Sequence, residues 1–159
     1  MISIYNSLFF PYINYGIEAW AAAPRGSLNR IVVQQKKAVR AVNCLDYNEH
    51  TADYFKSMKL FNVMSLYQFR CSLYLFKILS DHSYNPYFFN YINNISHDHH
   101  HLTRNSSQLT LPLLRKSKSQ SSFVYSTIKY YNIIPIDIKN SSTIDEFKRR
   151  LKEYILNSI

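Results

Sequence analysis

The spacing of apolar residues predicts a chain built mainly from α-helices. Residues 3–20 are predicted to form a helix that kinks or restarts at Pro11, because a proline ring does not fit inside a regular helix. Residues 28–43 carry apolar side chains on one side and basic side chains on the other, which is typical of an amphipathic helix at a protein surface. A short helix is predicted at 51–58.

Two further segments have clear helical patterns. Residues 63–79 carry apolar or aromatic side chains around nearly the whole circumference, which predicts a central buried helix. Residues 143–156 begin with Thr143 and Glu146, whose spacing predicts a capping box, and Glu146 is followed at i+4 by Arg150. The apolar stripe of this amphipathic helix consists of Ile144, Phe147, Leu151 and Ile155.

The pattern between these helices is less regular. Residues 81–108 are rich in Asn, His and Ser and are predicted to form a loop or linker. Residues 109–114 alternate enough for a short strand, whereas 123–132 are compatible with a helix or a strand. The predicted fold class is therefore mainly α: a small helical bundle at 1–80, the linker, and a C-terminal extension at 109–159 with one or two short β-strands and the terminal helix.

The composition favours helices and a polyanionic partner. Only 2 of the 159 residues are glycines, which is too few for glycine-rich phosphate loops and for several tight hairpins. The net charge is +9, from 19 Lys and Arg against 10 Asp and Glu, and we expect nucleic acid as the partner ahead of an acidic membrane surface. The sequence contains no apolar run of membrane-spanning length, and no basic residue precedes its apolar start as in a secretion signal. We therefore expect no membrane partner and an intracellular location, in the nucleus or the cytoplasm.

Few residues offer catalytic or metal-binding chemistry. The densest polar cluster, at 97–101, contains four histidines and Asp98, but adjacent loop histidines rarely converge around a zinc ion. The ten acids are scattered, without the spacing of carboxylates that hold two metal ions. Cys44 and Cys71 belong to no paired-cysteine motif and are expected to be buried thiols in a reducing compartment. We expect a chain that is not an enzyme on its own and that uses no metal and no cofactor.

Basic side chains define two candidate nucleic-acid interfaces, one on the helix at 28–43 and one in the acid-free stretch at 99–136. Lysine and arginine contact phosphates without sequence preference, and neighbouring amides contact sugars or base edges. A solvated basic face without a partner is the alternative interpretation of both. The candidate residues are Arg30, Gln35, Lys36, Lys37 and Arg40 on the helix, and Arg104, Arg115, Lys116 and Lys118 in the later stretch.

A series of short motifs follows in a fixed order along the first half of the chain. The first motif is rich in tyrosine, and its residues are Tyr5, Leu8, Pro11, Tyr12, Asn14, Tyr15, Gly16 and Trp20. The second motif consists of Gln35, Lys36, Lys37, Ala38, Val39 and Arg40. The third consists of His50, Thr51, Phe55, Lys56, Leu60, Leu66 and Tyr67.

The second half continues the series. Its motifs consist of Thr103, Arg104 and Asn105, then Leu111 and Pro112, then Ser122, Phe123, Tyr125, Lys129, Asn132, Pro135, Ile138 and Lys139, and finally Phe147, Lys148, Leu151 and Lys152. Together the motifs resemble the C-terminal part of reverse transcriptases from jockey-like non-LTR retrotransposons. The closing motif of that family normally contains Trp-Asn-x-Leu-Pro. In this chain Tyr131 replaces the Trp, Ile134 replaces the Leu, and Thr127 stands where a Gly is common.

The resemblance implies a role for residues 1–80 and implies that the catalytic palm is not part of this sequence. Residues 1–80 would correspond to the thumb and the region just beyond it, a helical unit that grips the template and primer duplex. The palm, with its Ala-Asp-Asp signature, would lie upstream of Met1. The implied function is that of a non-catalytic C-terminal fragment of an RNA-directed DNA polymerase. Its expected partners are RNA or an RNA·DNA hybrid, bound weakly and without sequence preference, and the palm of the parent polymerase.

Two alternative hypotheses remain open. The chain could be a helical protein-interaction module derived from a retroelement, in which exposed aromatic residues bind a protein partner. It could also be a degenerate fragment without a selected function, which folds poorly because thumb helices normally bury apolar surface against the palm. Binding that depends on salt concentration would favour nucleic acid over a protein partner.

Overall fold

A computed structural model describes residues 2–97 and 108–158. These residues form helices and no strand, which confirms the mainly α fold class. The helices predicted at 28–43, 51–58, 63–79 and 143–156 are all present, with ends shifted by three residues or fewer. In chain order the helices are α1 (Ile2–Leu8), α2 (Phe10–Asn14), α3 (Ile17–Trp20), α4 (Arg25–Asn43), α5 (Ala52–Ser57), α6 (Val63–Ser80), α7 (Pro86–His97), α8 (Ser117–Gln120), α9 (Phe123–Ile133), α10 (Ile136–Lys139) and α11 (Ile144–Asn157).

The chain divides into two compact units. The first unit consists of Met1–Phe69 with Lys152–Ile159, and the second consists of Arg70–Leu151. The domain division expected from the sequence, with boundaries at residues 80 and 108, remains a prediction.

The segment predicted as one helix at 3–20 forms three short helices, α1 to α3. Pro11 lies in the first turn of α2, where the missing N–H costs no hydrogen bond, so the predicted restart at Pro11 is confirmed. A second break occurs at Gly16, whose φ of 58° lies in the left-handed region that glycine adopts without steric cost. The Trp20 indole Nε1 donates to the carbonyl of Tyr15 at 2.9 Å and closes this bend.

The core of the first unit joins α1, α4 and α5. Its buried side chains are Tyr5, Val39, Phe55 and Leu60. The half-buried side chains that pack against them are Phe9, Phe10, Ala38, Val42, Tyr54 and Met58. The apolar side of α4 therefore faces this core, as its amphipathic pattern predicts.

A glutamine lies inside the first unit. Gln35 is 0% exposed, and its amide nitrogen donates to the Tyr5 hydroxyl and to the Phe61 carbonyl, both at 2.8 Å. Its amide oxygen accepts a hydrogen bond from the backbone N–H of Val63 at 3.0 Å. The three bonds link α1, α4 and the start of α6. Burial raises the pKa of the Tyr5 hydroxyl.

Replacing Gln35 by an apolar residue should destabilise the protein strongly. We expect Gln35→Leu to lower the free energy of unfolding by about 3 kcal/mol, because two buried polar groups and one half-buried carbonyl lose this partner at about 1–3 kcal/mol each. The control is Gln34→Leu at the neighbouring exposed position, where the change should stay within about 0.5 kcal/mol. Urea unfolding followed by far-UV circular dichroism measures both variants. Equal stability of the two would contradict a structural role for Gln35.

Helix α6 is buried around nearly its whole circumference, which confirms the pattern seen in the sequence. Its buried side chains are Val63, Leu66, Tyr67, Phe69, Cys71, Ser72, Leu73, Leu75, Phe76 and Ile78. Because α6 has apolar residues on every face, it is stabilised by being buried on every face. An amphipathic helix is stabilised by burial of one face only.

The prediction of a loop over all of 81–108 is wrong for residues 86–97, which form α7. The Asn85 side-chain oxygen accepts from the backbone N–H of Phe88 at 3.0 Å and caps the helix, and Pro86 occupies its first turn. Phe88 and Ile92, spaced i and i+4, are buried. The Asn-rich composition concealed this signal, because asparagine is frequent both in loops and at helix caps.

The short strand predicted at 109–114 is not present, and these residues have no regular structure. The side chain of Asn132 binds the backbone of Leu109 at two points. Its oxygen accepts from the Leu109 N–H at 3.0 Å, and its nitrogen donates to the Leu109 carbonyl at 2.8 Å. The side-chain amide of Asn132 thus satisfies the backbone N–H and carbonyl of Leu109, which in a sheet would bond to a neighbouring strand.

The second unit is held together by aromatic contacts between its helices. The Tyr74 ring of α6 contacts Phe88 of α7 and Phe123 of α9 edge to face, with centroid distances of 5.8 and 5.2 Å. The Phe76 ring stacks on Phe147 of α11 at 3.9 Å. Residues 123–132, left open between helix and strand, lie in α9 and therefore adopt the helical alternative. Tyr, Ile and Val are compatible with either conformation. The packing of Phe123 against Tyr74 and the burial of Tyr131 favour the helix.

The capping box predicted for the last helix forms with one change of partner. The Thr143 hydroxyl accepts from the Glu146 N–H at 3.2 Å, as predicted. The Glu146 carboxylate accepts from the backbone N–H and the hydroxyl of Ser142, at 3.0 and 2.9 Å, one residue before the predicted partner. Arg150 forms the predicted ion pair with Glu146 at 2.7 Å. The hydrogen bonds from Ser142, and after them the charge of Arg150, hold the pKa of Glu146 below its usual range.

The Glu146 carboxylate should contribute a pH-dependent part of the stability. Because its pKa is lower in the folded chain than in the unfolded chain, its contribution is present above the unfolded pKa and is lost as the pH falls through the folded value. We expect Glu146→Gln to lower the Tm at pH 7, and the difference from the native chain to shrink at an acidic pH at which the carboxylate of the folded chain is protonated. Thermal melts at both pH values measure the effect, with the exposed Glu153→Gln as control. A Tm difference that is the same at both pH values would contradict this assignment.

Candidate nucleic-acid interface

Helix α4 presents a basic surface on a buried scaffold. It contains five Lys and Arg residues and no Asp or Glu. Leu28, Gln35 and Val39 are buried on one side. The exposed side chains of Arg30, Lys36 and Lys37 and the half-buried Arg40 fall within about 120° on the other side, and we call these four residues the α4 basic face.

The prediction that Gln35 contacts nucleic acid is wrong in this structure. The side chain is fully buried, and both the oxygen and the nitrogen of its amide are bound within the protein. The helical period contained the signal, since at about 100° per residue position 35 falls within about 40° of both Leu28 and Val39 on the apolar side. A polar residue on the buried side of an amphipathic helix is more often a structural hydrogen-bonding group than a surface contact.

Arg40 differs from the other cations of the α4 basic face because it also holds a loop. The side chain is half-buried, and its Nε donates to the carbonyl of Glu49 at 2.9 Å. The Glu49 carboxylate accepts from the Tyr54 hydroxyl at 2.7 Å, and this hydrogen bond raises the pKa of Tyr54. The loop is thereby fixed against the end of α4. The guanidinium of Arg40 is oriented by the protein and is not a freely rotating surface cation.

Cys44 follows the last residue of α4 and is exposed, contrary to the expectation that both cysteines are buried. Its φ of 53° ends the helix in a left-handed conformation, and the following N–H, from Leu45, returns to the Arg40 carbonyl at 3.0 Å. Cys71 in α6 is buried, as expected.

The second set of candidate residues belongs to the other compact unit. Arg115, Lys116 and Lys118 are exposed around α8, where the Gln120 side chain donates to the Leu114 carbonyl at 2.7 Å and closes the turn. Arg104 lies outside the described residues. The structure therefore brings four candidates together on α4 and three around α8, each within its own unit.

The start of α4 adds one residue that the sequence analysis missed. The helix begins at Arg25, three residues earlier than predicted, after Pro24 in an extended conformation. Arg25 is exposed and lies three turns before Lys36 on the same side of the helix. The signal was the proline, which is common at the beginning of helices.

Neither a metal-binding cluster nor a membrane-spanning helix is found among the described residues. Residues 2–97 and 108–158 contain no group of three or more His, Cys, Asp or Glu side chains that could hold a metal ion. The histidine run at 97–101 lies almost wholly outside these ranges. Within the same ranges, none of the helices combines the length and the apolar character needed to cross a membrane.

Comparisons with protein-family models, with curated proteins and with solved structures found no match to this chain.

Proposed function

We propose that this chain is a non-catalytic nucleic-acid-binding region that corresponds to the thumb and post-thumb part of a retrotransposon RNA-directed DNA polymerase. Its binding is weak and independent of sequence, and an RNA·DNA hybrid or RNA is the ligand. The observation that carries the proposal is the α4 basic face, in which four cations lie along a helix that contains no carboxylate. Cations without neighbouring acids attract phosphates along the whole helix.

The length of the α4 basic face suits a nucleic-acid strand. Arg30 and Arg40 are ten residues apart, which corresponds to about 15 Å along the helix axis. One strand of a duplex advances about 3.4 Å per nucleotide, so the face has the length of about four nucleotides. Phosphate contacts of this kind position the ligand but do not discriminate between bases, which accounts for the proposed lack of sequence preference.

The motif that resembles the retrotransposon family has two roles in the structure. Gln35 and Val39 are buried in the first unit, whereas Lys36 and Lys37 are exposed and Arg40 fixes the following loop. The same motif thus anchors the helix and presents its charges. A motif with both roles supports a binding function, because the anchoring side chains fix the direction of the cations.

Removing cations from the α4 basic face should reduce the salt dependence of binding. We expect Arg30→Ala, Lys36→Ala and Lys37→Ala together to flatten the slope of log affinity against log salt by about two to three units, at about 0.7–0.9 for each phosphate that is no longer neutralised. Arg40 is left intact because it holds the loop through Glu49. Titration of an RNA·DNA hybrid at several salt concentrations measures the slope.

The control removes the same charge elsewhere. Lys129, Lys148 and Arg149 are exposed, and replacing all three by alanine also removes two lysines and one arginine. The control should keep most of the native slope, since a change in net charge alone does not remove phosphate contacts. Equal slopes for the native chain and the α4 variant would contradict the proposal.

The purified chain should not synthesise DNA. Two-metal phosphoryl transfer needs carboxylates that hold ions about 4 Å apart. The described residues contain no group of three or more His, Cys, Asp or Glu side chains that could hold a metal ion. We expect no template-directed incorporation of labelled nucleotides on a primed RNA, with a known polymerase on the same template as positive control. Incorporation by the chain alone that a chelator abolishes would overturn the non-catalytic assignment.

One observation favours the alternative of a protein-interaction module. Ile4, Leu8 and Tyr12 follow each other at intervals of four residues across α1 and α2, and they are 54%, 67% and 80% exposed. A run of exposed apolar residues can bind a protein partner. Binding to a protein through this run would persist in the α4 variant and would respond weakly to salt, so the same titration distinguishes the two functions.

A further inference from the structure

The cations around α8 do not belong to the α4 basic face, and a row of serines lies among them. Residues 115–122 have the sequence Arg-Lys-Ser-Lys-Ser-Gln-Ser-Ser, and the stretch 99–136 contains no Asp or Glu. The side chains of Arg115, Lys116 and Lys118 are exposed. A serine hydroxyl in this setting suits a phosphoryl group, because phosphate oxygens accept charge-assisted hydrogen bonds from Lys and Arg.

The structure distinguishes the four serines of this row. The Ser121 hydroxyl donates to the Lys118 carbonyl at 2.7 Å, and the Ser122 hydroxyl caps the start of α9. Ser119 is half-buried. Ser117 is exposed, and its hydroxyl has no hydrogen-bond partner in the described part of the chain. Ser117 is therefore the serine of this row whose oxygen is both accessible and unbound.

The backbone around Ser117 also favours access by an enzyme. Residues 109–114 have no regular structure, and Lys116 is extended, with φ −93° and ψ 130°. Ser117 begins α8, a helix of four residues, and so short a helix is easily unwound. Ser27 is exposed and also follows an arginine by two positions, but it lies in the 19-residue α4 beside the buried Leu28. An enzyme that binds its substrate as an extended chain reaches Ser117 at the lower cost.

We propose that Ser117 is a phosphorylation site, used by a protein kinase that selects basic residues beside its acceptor serine. The Ser117 Oγ attacks the γ-phosphorus of ATP, so that an Oγ–P bond forms and the bond from this phosphorus to the β,γ-bridging oxygen breaks. ADP leaves with that electron pair, and the hydroxyl proton passes to the catalytic carboxylate of the kinase. The proposal goes beyond the α4 basic face and does not rest on it.

The neighbouring cations supply the recognition. Arg115 and Lys116 precede the serine by two positions and one position, and Lys118 follows it directly. A kinase groove lined with carboxylates forms ion pairs with these exposed side chains. No acid of the segment 99–136 competes with the groove for them.

Phosphorylation changes the charge that the α8 surface presents. A phosphoserine carries about −1.5 to −2 charges at pH 7, so the phosphate and the three cations together keep a net charge of only about +1. The phosphate oxygens also accept hydrogen bonds that the cations otherwise offer to a ligand. Ser117 thus acts as an electrostatic switch that reduces the attraction of this surface for polyanions.

The test uses the full chain, γ-labelled ATP with Mg²⁺, and a purified serine kinase that selects basic residues on both sides of its acceptor. We expect stoichiometric incorporation of phosphate, assigned to Ser117 by tandem mass spectrometry of proteolytic peptides. Ser117→Ala should abolish most of the incorporation, whereas Ser117→Thr, which keeps a hydroxyl, should retain it. Far-UV circular dichroism should show the same helix content in all variants.

A matched pair of variants tests the recognition. Arg115→Ala with Lys116→Ala should lower kcat/KM for phosphorylation about tenfold or more, because two charged contacts with the kinase are lost. The control is Lys148→Ala with Arg149→Ala, which removes the same two residue types at exposed positions of the same unit. The control should be phosphorylated at the native rate.

A synthetic peptide of residues 110–124 tests the selection of one serine by the fold. The peptide contains the same cations but none of the contacts that engage Ser121 and Ser122 in the folded chain. We expect phosphate on several serines of the peptide and on Ser117 of the full chain. The same distribution in both would contradict the selection by the fold.

Three other results would overturn the proposal. One is the absence of incorporation into the native chain under conditions in which a standard basic substrate peptide is phosphorylated. Another is phosphate on other serines of the full chain while Ser117 stays unmodified. The third is an equal kcat/KM for the Arg115 and Lys116 variant and its control, which would exclude recognition through the neighbouring cations.

Discussion

The buried amide of Gln35 is the constraint on which the first unit depends. A primary amide can donate and accept at once. Here it donates to the Tyr5 hydroxyl and the Phe61 carbonyl and accepts from the Val63 N–H, which joins α4 to two other parts of the chain. These bonds fix the rotation of α4 about its own axis. Because each residue turns the helix by about 100°, the same rotation directs the next two residues, Lys36 and Lys37, away from the core.

Side-chain amides also organise the second unit. Asn85 caps α7 and donates to the Tyr74 hydroxyl at 2.7 Å, and Asn132 binds both backbone groups of Leu109. These hydrogen bonds hold backbone segments in place. Among the described residues, no sheet is present to support them. Asn132 therefore has a structural role. The neighbouring Tyr131 is buried, and the Lys139 Nζ lies 5.0 Å from its ring centroid.

The α4 basic face offers point charges along a helix without acids, which suit phosphates. The buried Gln35 anchors the helix that carries these cations. A rigid scaffold lowers the entropy cost of binding, because the helix need not be ordered by the ligand.

The fold class, most helix positions and the direction of the charges on α4 were all predictable from the amino-acid sequence. These features follow from local periodicity, which a single helix expresses without its neighbours. The roles of Gln35, of Asn132 and of α7 emerge only in the folded chain, because each depends on partners distant in the sequence. Gln35 bonds to residues 26 to 30 positions away, and Asn132 to one 23 positions away. In the sequence, an asparagine or glutamine looks the same whether it lies in a loop, at a helix cap or in a core. Only its hydrogen-bond partners show which role it has.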